Sequence, residues 1–234
     1  MQTFLEGTVP DERWKGAERA SYALLPVPAA NRLIPADHRL IGPERDLDKL
    51  RRYVTTVLER AGRLGTTTLV FGSGAARTVP PGVDRDAARE QIIEFLRIAL
   101  PVAQRNGVTL VAEPLNRGEC NIMNSVAECM EYVRELGHPN FQCLVDSYHL
   151  WLESEPLEHV RDAMPWIRHV HVSDLRNRMP SGESGEALDY RSFFRVLRQG
   201  GYDGMVTVEA DTFDVPEAGA RVLAFLKNEW DRSL

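Results

Sequence analysis

The sequence predicts an α/β barrel of the (β/α)8 kind, and three observations predict it. Short apolar runs alternate with helical patterns along the chain. The runs are continuous rather than alternating in polarity, which is how parallel strands buried on both faces read. Four successive runs end in a metal-binding residue type: Glu113 after VTLVA, Asp146 after FQCLV, His171 after IRHV and Glu209 after MVTV. Such a repeat places all four on the rim where a barrel does its chemistry. Three carboxylates and one imidazole make a hard, mostly oxygen site for a divalent cation.

Seven runs qualify as strands, at residues 3–6, 22–28, 67–71, 108–113, 141–146, 167–173 and 205–209. Between the second and third, Leu47, Leu50, Val54, Val57, Leu58, Ala61 and Leu64 follow helical spacing and give one apolar stripe to cover the outside of the barrel. Asp84 is placed to cap the next helix, and Pro101 predicts a kink or early break in it near Ala99 and Leu100. Ser125 with Glu128 three residues on forms a capping box, and Asp189 caps a helix running through Leu197. Gly107, Gly137 and Gly200 stand where helices should stop.

The 234 residues, 43% hydrophobic and 26% charged, suit one sizeable core and therefore a single domain over 1–234. A net charge of −6 without a basic stripe argues against a nucleic-acid partner. No apolar stretch reaches the roughly 18 residues of a membrane span, and the start MQTFLEGTVPDERWK lacks the basic and apolar regions of a signal peptide. The expected location is the cytoplasm. Cys120, Cys129 and Cys143 are odd in number and lack CxxC spacing, so they are expected to be reduced and structural.

EPLNRGECN (113–121), VDSYH (145–149), HVHVSD (169–174), GYDGMVTVE (201–209) and FGSGAARTVP (71–80) together resemble the xylose isomerase-like barrel superfamily, in its sugar phosphate isomerase/epimerase branch, which includes the ketose 3-epimerases. The resemblance runs from about residue 29 onward. It implies a (β/α)8 TIM-barrel fold, and because FLEG (4–7) is similar to that family's second strand, it implies a chain lacking the first strand and helix. An open barrel exposes strand edges, so a homo-oligomer, dimer or tetramer, is expected to cover them.

The resemblance further implies that Glu113, Asp146, His171 and Glu209 bind one divalent metal, Mn2+ first with Co2+ or Mg2+ as alternatives, and that Glu113 and Glu209 also act as acid and base. A carboxylate facing a metal-held ketose can take the proton beside the carbonyl when the enediolate oxygen is stabilised. Return of the proton to the opposite face gives epimerisation; return to the neighbouring carbon gives isomerisation. Loss of a β-leaving group makes a dehydratase of the dehydroshikimate or inosose type, and a noncatalytic sugar-binding remnant is the rival from another class. A nuclease on this fold would need more rim histidines and a basic face.

By the same resemblance, His149, Glu119 and Arg178 match substrate-binding positions for a sugar or polyol, Arg178 only if the loop shifts by one residue, since Asn177 occupies the usual place. The loop SGESGEALDY is longer than that pattern. GSGAAR (72–77) reads as a glycine-rich turn without an assigned phosphate. His169 reads as a structural residue on the same strand side as His171, and Trp151 as the best aromatic candidate for a substrate wall.

Overall fold

Six parallel strands, paired in sequence order, make one sheet: β1 (Ala29–Ala30), β2 (Thr68–Phe71), β3 (Thr109–Ala112), β4 (Phe141–Asp146), β5 (Ile167–Val172) and β6 (Val206–Val208). The helices are α1 (Gln2–Leu5), α2 (Gly16–Ser21), α3 (Leu47–Leu64), α4 (Gly74–Arg77), α5 (Arg85–Arg105), α6 (Val126–Leu136), α7 (Ser147–Leu152), α8 (Leu157–Ala163), α9 (Tyr190–Gln199) and α10 (Val215–Asp231). This computed structural model describes all residues except 1, 22–25, 176, 177, 179, 181–187 and 211–214, and no side chain of residues 2, 3 or 215–217. The long loop read at 181–190 therefore lies largely outside the described residues.

Period two along each strand divides its side chains between two layers. Leu69, Phe71, Leu110, Ala112, Phe141, Cys143 and Val145 join the large core between sheet and helices. Val70, Val111 and Leu144 form a separate buried cluster on the other face. Two residues beyond these three stand Gly72, Glu113 and Asp146, so the inner face of each strand runs from an apolar layer directly into the rim. Registers Val70↔Val111 and Asp146↔His171 keep the rim level from strand to strand.

The caps form where the sequence places them. Asp84 accepts from the amides of Asp86 and Ala87, Ser125 from Glu128 and Asp189 from Ser192. The return half of the expected capping box shifts by one residue: the Glu128 carboxylate accepts from the amide of Asn124 instead of Ser125. Gly137 takes the left-handed conformation that ends α6, whereas at the end of α9 Gly201, not Gly200, does so.

Pro101 does not break its helix. α5 continues to Arg105, because Pro101 lies on the exposed side while Ile92, Phe95, Leu96, Ala99 and Ala103 bury the opposite face. That burial outweighs the one backbone hydrogen bond that proline cannot donate.

The N-terminus departs most from expectation. Residues 3–5 of the run at 3–6 are helical, within α1, and of the run at 22–28 the described part is not a strand; pairing begins at Ala29. The physical reason is a buried cation on α3. Arg60, fully buried, donates to the carbonyls of Leu5 (3.0 Å), Glu6 and Val9 (2.6 Å) and to Asp11 Oδ1 (2.8 Å), with its guanidinium 4.9 Å from the Trp14 ring. Carbonyls gathered round one guanidinium cannot lie along a strand ladder. Among the described residues the sheet therefore has six strands rather than seven, with β1 and β6 as its edges. No helix among the described residues is long and apolar enough to cross a membrane.

Candidate functional site

At the rim, Glu113, Asp146, His149 and Glu209 each offer a donor atom, all within 4.8 Å of one another. His171 joins them: its Nδ1 lies 2.9 Å from Glu113 Oε1, 3.6 Å from Asp146 Oδ2 and 3.7 Å from Glu209 Oε2. The structure thus brings together all four residues read from the strand ends, with His149 beside them.

The two histidines differ in how their nitrogens are used. His149 Nδ1 accepts from the Asn116 amide at 3.1 Å and lies 2.9 Å from Asn116 Nδ2. An Nδ1 that accepts leaves the proton on Nε2, which makes His149 a hydrogen-bond donor rather than a ligand at that atom. His171 turns Nδ1 towards the three carboxylates. Its Nε2 and Asp146 Oδ2 are buried without hydrogen-bond partners among the described residues.

Burial, and then the charge of Glu113, push the Glu209 carboxyl up to about 8. For His171 burial acts downwards, but the Asp146 and Glu113 carboxylates beside it outweigh that and hold the imidazole well above its usual range. Three carboxylates crowded into one buried place suit a bound cation. The donor set and the unpartnered Asp146 oxygen, facing His171 across 3.6 Å, fit a divalent one.

Two residues hold Glu113 in place. Gly72 is the inner-face position of β2 at the same level, and a Cβ there would stand 1.9 Å from Glu113 Oε2. Arg77, fully buried in α4, donates to the carbonyls of Phe71 (2.6 Å), Glu113 (2.6 Å) and Met123 (3.5 Å). Three of its N–H groups bind the ends of β2 and β3 and the following loop, so Arg77 clamps these segments together. Replacing Arg77 by Met leaves the Glu113 carbonyl without its donor, while the Phe71 and Met123 carbonyls keep the amides of Glu113 (3.4 Å) and Leu115 (3.1 Å), at a cost of about 2 kcal/mol. The shift in urea midpoint measures this; an unchanged midpoint would remove Arg77 from the account of the rim.

Beyond the acids opens a cavity of about 780 Å³, lined by Asn31, Arg32, Ile34, Gly72, Ser73, Glu113, Leu115, Glu119, Tyr148, His149, Arg178 and Glu209, among others. Arg178 spans it, 2.8 Å from Glu119 Oε1 and 3.2 Å from Glu209 Oε2, with its guanidinium 4.0 Å from the centre of the Tyr148 ring. Glu119 also accepts from Asn116 Nδ2 at 3.0 Å. Arg32, Ser73 and Arg178 all hold positive φ without being glycine, backbone strain of the kind that gathers at functional sites.

His169 is buried as read, its Nε2 3.1 Å from Thr207 Oγ1. Trp151 does not line the cavity. It packs edge-on against Tyr190 at 4.8 Å in the core, and Tyr148, three residues earlier and within VDSYH, supplies the aromatic wall. Asn31, Arg32 and Ile34 are among the lining residues that sequence reasoning passed over, while Gly72, Ser73 and Tyr148 lay in quoted motifs without a role of their own. For Asn31 the signal exists, a polar residue ending a strand, but it appears only when that strand is placed at Ala29–Ala30.

A family model described as xylose isomerase-like TIM barrel matches residues 27–229. The 3-dehydro-D-guloside 4-epimerase of Escherichia coli (strain K12) is 29% identical over 166 residues, 70% of this chain and 62% of its own length. The ketose 3-epimerase of Arthrobacter globiformis is 30% identical over 128 residues, 53% of this chain and 43% of its own. The crystal structure of 3-keto-D-glucoside 4-epimerase from E. coli, 26% identical, superposes with a TM-score of 0.74 over 92% of this chain and 83% of that one. The matches span 43% and 62% of the length of these two curated relatives.

Proposed function

The chain belongs to the xylose isomerase-like TIM barrel family, and from that premise we propose that it is a divalent-metal-dependent isomerase/epimerase of a keto-sugar. The observation that carries the proposal is the convergence of Glu113 and Glu209, from different strands, on one imidazole nitrogen at 2.9 and 3.7 Å. The relatives, epimerases of a ketose and of keto-glycosides, support the substrate class.

In this reading Glu113, Asp146, His171 through Nδ1 and Glu209 hold the cation, Mn2+ by preference. When bound, it supplies positive charge that polarises the substrate's oxygens and favours loss of the neighbouring carbon proton. One of the two glutamates takes that proton and the other delivers one to the opposite face, inverting the centre. His149, its Nδ1 occupied by Asn116, donates from Nε2 to a substrate oxygen. Arg178 and Glu119 exchange their mutual ion pair for hydroxyl groups, over the Tyr148 ring. The buried layer of Val70, Val111 and Leu144 keeps water from reaching the acids from below.

Deuterium uptake from heavy water into free ketoses and 3-keto-glycosides, with Mn2+-loaded protein, tests this. The expected result is uptake at a carbon beside the carbonyl with an inverted product, abolished by a chelator and restored by Mn2+. Loss of water from the substrate would make the enzyme a dehydratase. Absence of uptake in every keto-sugar would overturn the proposal.

A further inference from the structure

We propose that Asn31 is a positioning residue for Glu209, fixing one carboxylate oxygen so that the other is presented to the substrate. The inference rests on the isomerase/epimerase reading for its catalytic consequence, but its structural basis is independent of it. Asn31 Nδ2 donates to Glu209 Oε1 at 2.6 Å, whereas Glu209 Oε2 faces Arg178 Nη1 at 3.2 Å and His171 Nδ1 at 3.7 Å. The two oxygens therefore have separate duties, one anchored and one facing the cavity.

The two glutamates need different anchors because their strands differ. β3 is flanked on both sides, and the carbonyl of Glu113 is gripped by buried Arg77. β6 is three residues long, partly exposed and, among the described residues, paired only with β5. Among the described residues the Glu209 main chain is bonded to that side alone, through its amide to the Val172 carbonyl (3.1 Å) and its carbonyl to Ser173 Oγ. A side-chain anchor from the opposite edge of the sheet supplies the missing constraint.

Asn31 is itself held to one direction. Leu33 donates to the Val70 carbonyl and Ile34 to Ser73 Oγ, both at 2.9 Å, stitching the segment after β1 to the end of β2. Between them and Asn31, Arg32 holds φ at +62°, a conformation that a non-glycine residue keeps only when its surroundings impose it. The amide reaches Glu209 from a backbone with little freedom to retreat.

The test uses the full chain with Co2+ as the metal probe, in wild type, Asn31→Ala and Asn31→Asp. Removing a partner that orients a ligand carboxylate costs about 10- to 100-fold in metal affinity or activity. Asn31→Ala is therefore expected to lower Co2+ affinity or kcat by that factor, with an unchanged melting temperature and a KM within about twofold of wild type. Asn31→Asp, of the same shape but opposing Glu209 with a like charge, is expected to lower kcat at least as far; a packing role would leave this variant like wild type. If wild type exchanges deuterium into no keto-sugar, the isomerase/epimerase reading fails and Co2+ titration alone decides: a tenfold loss in Asn31→Ala keeps the positioning role. Wild-type Co2+ affinity and wild-type kcat in Asn31→Ala would overturn it, and with no turnover to compare, wild-type affinity alone does so.

Discussion

Glu209→Gln is expected to fold as wild type does and to lose deuterium exchange by on the order of 10²- to 10⁴-fold, the range a positioned general base supplies. The amide preserves the side chain's size, and its oxygen can still accept from Asn31 or Arg178. What disappears is the negative charge beside His171 and the capacity to hold a proton taken from carbon. Both losses bear on turnover, and only the first bears on the metal, so Co2+ affinity is expected to fall less steeply than exchange does. Isotope wash-in followed by NMR, at saturating metal, separates the two. Wild-type wash-in would remove Glu209 from the chemistry.

Gly72→Ala is expected to be nearly silent in stability and severe in function. Gly72 does not occupy the left-handed region, so alanine meets no backbone penalty there. The obstacle is Glu113 Oε2, 1.9 Å from the new methyl, and it sits at the far end of a side chain that can swing aside. Swinging aside moves the carboxylate away from His171. A displacement of about 1 Å in a reacting group costs roughly 100-fold in rate. Thermal melting and kcat measured on one preparation read both halves of the expectation. Full activity at an unchanged melting temperature would mean that Glu113 has no fixed role.

Most of the sheet was legible because its inner strands carry their own labels. VTLVA and FQCLV are apolar but for one residue each and are followed by acids, which fixes both the strand and the direction of its last side chain. His171 and Glu209 followed by the same rule. The N-terminus was not legible, because FLEG satisfies a strand pattern over four residues while its fate depends on Arg60, more than fifty residues away. β1 is the complementary case: two alanines carry no strand signal, and only the ladder to Thr68 and Leu69 defines them. Missing that strand by a few residues also hid Asn31. The clamp at Arg77 was hidden for a related reason, since a buried guanidinium bonded to carbonyls leaves no partner type to recognise in sequence.

The bond between Asn31 and Glu209 spans 178 residues, whereas each ladder in the sheet joins strands that follow one another along the chain. Loop-closure entropy makes such a contact among the last to be worth forming, after the intervening strands have shortened the effective loop. During refolding, recovery of secondary structure is then expected to precede recovery of metal affinity. Acquisition of the metal becomes a report that the chain has folded through to its last strand.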